Sequence, residues 1–280
     1  MRSKLRVAVV GHVEHVTLGH VPALPPPGGI AHLEAPRFFP GGGGGVALLQ
    51  LARSPAEVHL FTALGLDEAA REVEAALRQT RVDLHAARRD GPHTRDVVLV
   101  TPDGERTIVV VGEPLHPRAG DPLPWALLSS CDAVYFTAQD PEALRRCRAA
   151  RRLVVSARRQ GALAAAGVRA DVVVGSAVDP REASALADYP VPPGALVMTE
   201  GAAGGRVEQA SGVERFAPPP RVHATGAAYG AGDSFAGALT FYLACGLPVL
   251  DACALAGPHG AAVLAGLDPR TTQLPLVRPP

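Results

Sequence analysis

The residues best suited to chemistry lie in one short segment, Gly226-Ala-Ala-Tyr-Gly-Ala-Gly-Asp-Ser-Phe-Ala-Gly-Ala-Leu239. Gly230, Ala231 and Gly232 open an apolar run that reads as a helix over 231–245, with Asp233 in its first turn. The first N–H groups of a helix have no acceptor within it and lie at the positive end of its dipole, so they form an anion site. A carboxylate beside such a site repels a resting phosphate. It suits a base that takes a proton from a hydroxyl attacking phosphorus. For an isolated G-x-G-D, a first-turn acid that merely caps the helix is the plainer reading.

Composition removes several alternatives. Lys4 is the one lysine, and asparagine is absent. A P-loop needs Gly-Lys-Ser/Thr, and a protein-kinase site needs a strand lysine and a catalytic-loop asparagine, so both are excluded. A Schiff-base lysine deep in a core is excluded as well. Lys plus Arg equals Asp plus Glu at 27 each, which leaves no electrostatic footprint for nucleic acid or an anionic membrane. A dinucleotide fold is disfavoured because Gly11-His-Val-Glu-His15 stands where G-x-G-x-x-G is needed. Cys131, Cys147, Cys245 and Cys253 have no metal or disulfide spacing and read as reduced thiols of a cytoplasmic protein. The apolar run Val7–Val10 is too short for a signal peptide, and the C-terminal apolar region is broken by Gly246, Pro248 and Asp251.

The elements that must position Asp233 follow from periodicity. Over 280 residues, 47% of them apolar, a single α/β domain spanning 1–280 is expected. Leu5–Gly11 reads as a buried central strand. The Pro-rich stretch to Pro40 suits short strands or a lid, and Gly41–Gly45 a Gly-rich loop ahead of a helix over 46–53. A strand at 58–64 and a helix at 67–79 capped by Asp67 come next, then a hairpin around Pro-Asp-Gly-Glu with arms at 97–101 and 107–111. Strands at 133–136, 153–156, 172–175 and 196–199 alternate with helices at 141–150, 158–166 and 180–187. That alternation implies a mostly parallel sheet with helices on both faces. A polar hairpin at 206–216, helices at 231–245 and 249–265, and a Pro-rich tail from Thr271 complete the chain.

The segment Tyr229-Gly-Ala-Gly-Asp-Ser-Phe-Ala-Gly-Ala238 closely resembles the C-terminal signature of the ribokinase-like (PfkB-type) sugar and nucleoside kinases. Val9-Val-Gly11, Pro25-Pro-Pro-Gly28, Pro40-Gly-Gly42, Ala63-Leu-Gly-Leu-Asp67, Asp171-Val-Val-Val-Gly-Ser176 and Val197-Met-Thr-Glu-Gly201 resemble further family features in order. The resemblance implies a three-layer α/β/α fold with a small β-rich lid, here at about 12–40 and 93–112. It implies transfer of the ATP γ-phosphoryl to a hydroxymethyl of a small molecule, with Asp233 as base and the Gly230, Ala231 and Gly232 amides as anion hole. Ser176, Thr199, Gly201, Gly204 and His259 fall at nucleotide positions, and Asp179 at the acid that organises Mg²⁺ through water. Gly41, Gly42, His12 and Glu14 fall at the acceptor end.

That end departs from the pattern. The family's clasping Asp falls at Val16, its Asn at Val46, and the Asp that opens its signature at Ala227; Glu14 offers a replacement. A catalytically degenerate nucleotide- or metabolite-binding member of the fold is therefore the competing expectation. The family's lid often mediates dimers, so a homodimer through the lid is expected by analogy. His12-Val-Glu-His15 with His20 has the residue types of a metal cluster, but on a strand His12 and His15 point to opposite faces, against that reading.

Overall fold

A computed structural model describes residues 4–223 and 228–279. In chain order the elements are β1 (Arg6–Val10), β2 (Glu14–His20), β3 (Glu34–Gly41), α1 (Gly42–Leu51), β4 (Glu57–Leu64), α2 (Glu68–Arg78), β5 (Val82–Arg88), β6 (Arg95–Val100) and β7 (Arg106–Val111). Then come β8 (Ala133–Phe136), α3 (Pro141–Cys147), β9 (Leu153–Ser156), α4 (Gln160–Ala166), β10 (Val172–Ser176), β11 (Ala195–Thr199), β12 (Gly205–Gln209), β13 (Gly212–Phe216), α5 (Ala231–Ala244), α6 (Val249–Ala262) and α7 (Pro269–Thr272).

Among the described residues these strands form two sheets. The larger has nine strands in the order β13-β12-β11-β10-β9-β8-β1-β4-β5. It is parallel from β11 through β5, and the hairpin β12–β13 adds an antiparallel edge. The β-branched run of β1 lies between β4 and β8, where both backbone edges are paired and both faces covered. Val7 and Val9 enter a core shared with α1, α2, α5 and α6, while Ala8 and Val10 enter a second core with α3, α4 and Trp125. Helices thus cover both faces, as the repeated βα units require. Among the described residues no helix is long and apolar enough to cross a membrane.

The smaller sheet has the order β3-β2-β6-β7, with β2 and β6 parallel and both outer pairs antiparallel. Its inner residues Val16, Leu18, Phe39, Val98 and Val100 pack with Val46 and Tyr229 in a third core. Asp67 caps α2 by accepting from the Ala70 N–H and also holds the His93 N–H and Arg95, which fastens this sheet to the helix.

Four expectations need correction. The glycine run is not a loop before a helix: Gly42–Gly45 form the first turn of α1. A Cβ at Gly44 would lie 2.4 Å from His12 O, so close packing on the β1 connection, not helix propensity, decides this turn. Residues 180–187 are a turn, an irregular stretch and the start of a short 3-10 helix at Leu186–Asp188 rather than an α-helix. The Asp179 and Asp188 side chains accept from the Arg181 and Ala185 N–H groups, competing with a helical ladder. Strand β5 was not expected, because Val82-Asp-Leu-His-Ala-Ala-Arg88 is polar and only half-buried at the sheet edge. The C-terminal tail is docked: Leu276 is buried, its N–H bonds Arg53 O, and Gln273 reaches both Val46 O and Ser234 Oγ.

Candidate active site

Helix α5 begins at Gly230, whose φ of 79° is left-handed and suits glycine. A Cβ there would also press within 2.8 Å of Val46. The Ser234 N–H makes the first intrahelical bond, to Gly230 O, so the preceding N–H groups of Ala231, Gly232 and Asp233 have no acceptor in the helix. Gly232 adds no bulk: a Cβ there would meet nothing within 4 Å. These groups border a cavity of about 1040 Å³ that lies where β1, β8, β9, β10 and β11 end, at the carboxyl edge of the parallel sheet where ligands bind in such folds.

Asp233 faces the same cavity, half-buried. Burial first, then the charge of Glu182, raise its carboxyl to about 6 against Arg158, Arg106 and Arg159. The carboxylate is therefore ionised at neutral pH but holds a proton far better than an exposed aspartate. Helix α1 meets it from the other side, because a Cβ on Gly43 would lie 3.2 Å from Asp233 Oδ1 and 3.1 Å from Thr137 Oγ1. The Tyr229 hydroxyl accepts from the Gly42 N–H at 3.1 Å and joins the starts of α1 and α5. At Gly237 a Cβ would lie 2.6 Å from Ala47 O, so the two helices approach backbone to backbone.

His12, Glu14, Gly42, Ser176, Asp179, Thr199, Gly201, Gly230, Ala231, Gly232 and Asp233 all border this cavity. Three other expected residues do not. Gly41 is packed against Val16 and Tyr229. Gly204, at φ 86°, closes the turn between β11 and β12, where a Cβ would strike Phe216 O at 2.4 Å. His259 is 4% exposed and bonds the Tyr242 hydroxyl at 3.2 Å, so it is a packed histidine between α5 and α6. Ala227 lies outside the described residues. Val16 and Val46, at the family's Asp and Asn positions, are fully buried in the third core.

Several cavity residues escaped sequence reasoning: Asp96, Arg106, Thr137, Arg158, Arg159 and Glu182. Arg158 and Arg159 sit in the tight turn between β9 and α4, and Arg159 Nε donates to Thr137 O at 2.8 Å. Charge-rich stretches of this kind look like solvated surface, and nothing in their spacing separates them from it.

Asp179 does not fit the metal role expected of it. Arg158 and Arg181 pair with it at 2.8 and 3.1 Å and, with the Arg181 N–H, hold its carboxyl down to about 2. Glu182 is likewise held by Arg158 at 2.7 Å and by the Ser176 N–H at 3.0 Å. Asp179, accepting from four N–H groups, has no open lone pair for a hydrated Mg²⁺ while these pairs stand. His12 and His15 also part company. His15 stacks on Phe38 and bonds Glu72, while His12 meets the edge of His116 at 4.9 Å.

The pfkB family of carbohydrate kinases matches residues 4–164 in sequence. The chain belongs to that family. Among curated proteins none matches it in sequence. Solved structures share its fold across nearly the whole chain. A candidate ribokinase from Agrobacterium tumefaciens superimposes with a TM-score of 0.81 at 21% identity, covering 97% of this chain and 94% of that one. Adenosine kinase from Sinorhizobium meliloti gives 0.76 at 17%, covering 99% and 97%. Phosphofructokinase-2 from Escherichia coli, in complex with fructose-6-phosphate, gives 0.73 at 17%, covering 96% and 97%. The three-layer ribokinase-like fold with its small second sheet is thereby shown, and at these identities the likeness reaches the fold alone.

Proposed function

We propose that this chain is an ATP-dependent kinase that phosphorylates a hydroxymethyl group of a sugar, nucleoside or related small molecule. One observation carries the reading: an ionisable carboxylate and helix-start amides with no acceptor in their helix border the same cavity. ATP supplies the phosphoryl group. Asp233 takes the acceptor's hydroxyl proton, and with a carboxyl near 6 it is ready as a base at neutral pH. The Gly230, Ala231 and Gly232 N–H groups, joined by that of Asp233, hold the negative charge that builds on the moving phosphoryl oxygens, preorganised so that little rearrangement is needed. Arg158 and Arg106 line the same cavity and add positive charge. No step is assigned to Mg²⁺ through Asp179, given its arginine pairs.

The competing reading, a catalytically degenerate binding member of the family, draws on the buried valines at positions 16 and 46. Coupled ATP-turnover assays over unphosphorylated sugars, nucleosides and sugar phosphates separate the two. Turnover of any acceptor that disappears in Asp233→Asn supports the kinase. ATP binding without turnover anywhere on the panel supports the degenerate reading. A homodimer through the small sheet belongs to the proposal, since β7 leaves Ile108, Val109, Val110 and Val111 more than 40% exposed along an unpaired edge. Light scattering of the purified chain tests it.

A further inference from the structure

Beside the first turn of α1, two carboxyl groups meet inside the protein. Glu14 opens β2 and Asp96 lies on the neighbouring strand β6; they are 6% and 3% exposed. Both border the cavity that holds Asp233, and they hydrogen-bond to each other. A Cβ on Gly42 would lie 2.9 Å from Glu14 Oε2, so glycine there keeps the cavity open to this group. Among the described residues neither acid pairs with an arginine or lysine, and Asp96 Oδ1, buried, has no partner at all.

Two ionised carboxylates cannot stay in contact away from water, so the pair keeps one proton. Burial first, then the hydrogen bond and charge of Asp96 and the charge of Asp233, raise Glu14 to about 9 against Arg159. Burial raises Asp96 as well. His12, 3.5 Å from Glu14, is held neutral by burial, and the facing Tyr229 phenol is pushed up. With that one proton held between them, the pair turns acceptor oxygens to the cavity. A neutral hydroxyl offers one donor and two acceptors, so paired hydroxyls match this group. A phosphate brings negative charge and acceptor oxygens, which the open Asp96 oxygen and Asp233 repel.

We propose that Glu14 and Asp96 act as one acceptor-recognition group that binds an uncharged polyol through its hydroxyls and rejects the phosphorylated counterpart. The assignment rests on the kinase reading above and supplies the acceptor contacts missing at Val16 and Val46. Its range has an alkaline edge: once the shared proton is lost, two adjacent carboxylates repel each other and the arrangement that meets the hydroxyls comes apart.

The test measures ATP-dependent turnover of D-ribose, D-fructose and adenosine against fructose 6-phosphate, from pH 7 to 10, for the wild type, Asp96→Asn and Glu14→Gln. Turnover is expected for unphosphorylated acceptors, and Asp96→Asn raises KM by about tenfold or more and by more than it lowers kcat. Wild-type KM climbs above pH 9, and Glu14→Gln flattens that climb. Turnover confined to fructose 6-phosphate, or an alkaline climb unchanged in Glu14→Gln, overturns the proposal without touching the kinase reading. Infrared spectra at pH 7.5 need neither substrate nor turnover: a protonated carboxyl band is expected in the wild type and is lost in Glu14→Gln. A wild type without that band overturns the shared proton. A band with no acceptor turned over removes the kinase reading and the acceptor assignment with it.

Discussion

The two halves of the cavity are built by different means. Around α5 the working groups are backbone amides, freed by a left-handed glycine and a helix start, with one carboxylate added. Around Glu14 and Asp96 they are side chains carried on two strands of the small sheet. Backbone geometry of the first kind admits few sequences, because Gly230 must hold positive φ, Gly232 must leave the amides uncovered, and Gly43 must let Asp233 approach. Side-chain recognition is freely rewritten, since any residue of suitable chemistry on the right face will serve. The first half therefore retains the family pattern while the second departs from it.

Breaking the first half produces the largest effect. Asp233→Asn keeps the shape and removes the base, so phosphoryl transfer falls on the order of 10²–10⁴-fold while ATP binding, read by calorimetry, persists. Transfer within a few fold of wild type shows instead that the carboxylate only caps α5. Gly43→Ala comes next. Its methyl would lie 3.1–3.2 Å from Thr137 and Asp233. Displacing the carboxylate by a fraction of an ångström lowers kcat by roughly 10–10²-fold. Unchanged kcat in a folded Gly43→Ala variant shows that α1 does not set the position of the base.

A subtler probe sharpens the contrast through pH. As the proposed base, Asp233 acts when ionised, and its folded value is raised to about 6, so kcat is expected to fall as pH drops through that value, about tenfold per unit below it. Glu182→Gln removes one of the charges that raise it and frees Arg158, which lowers it. Both changes move the acid limb to lower pH, by up to about one unit. A limb that stays fixed in Glu182→Gln dissociates Asp233 from that limb. The smallest effect on activity is expected at Gln273, behind the site. Gln273→Ala loses two buried hydrogen bonds and about 1–3 kcal/mol of stability. Urea unfolding measures that loss, and an undiminished midpoint shows that the tail contributes nothing to α1 and α5.

Legibility in the sequence followed the same division. The helix start at Gly230 and the place of Asp233 in its first turn were legible because glycine is demanded where φ is positive, and Gly230 meets that demand. The Asp67 cap and the hairpin at Pro-Asp-Gly-Glu were legible for the same local reason. Asp96, Arg158, Arg159 and Glu182 were not, because each reaches the cavity through pairings of strands or turns distant in sequence. His259 was expected near the nucleotide, yet the fold turns it toward Tyr242. The helix expected over 180–187 failed where side-chain carboxylates took the N–H groups that a helix needs.

Gln273 binds the α1 carbonyl of Val46 and the α5 hydroxyl of Ser234 in one grip. The two helix starts that face the cavity are thus clamped from behind by a segment that follows both helices in the chain. During translation the sheet and both helices emerge before this clasp exists. The clasp can form only after residue 273 has been made, so until then a nascent chain lacks this link between the two helix starts.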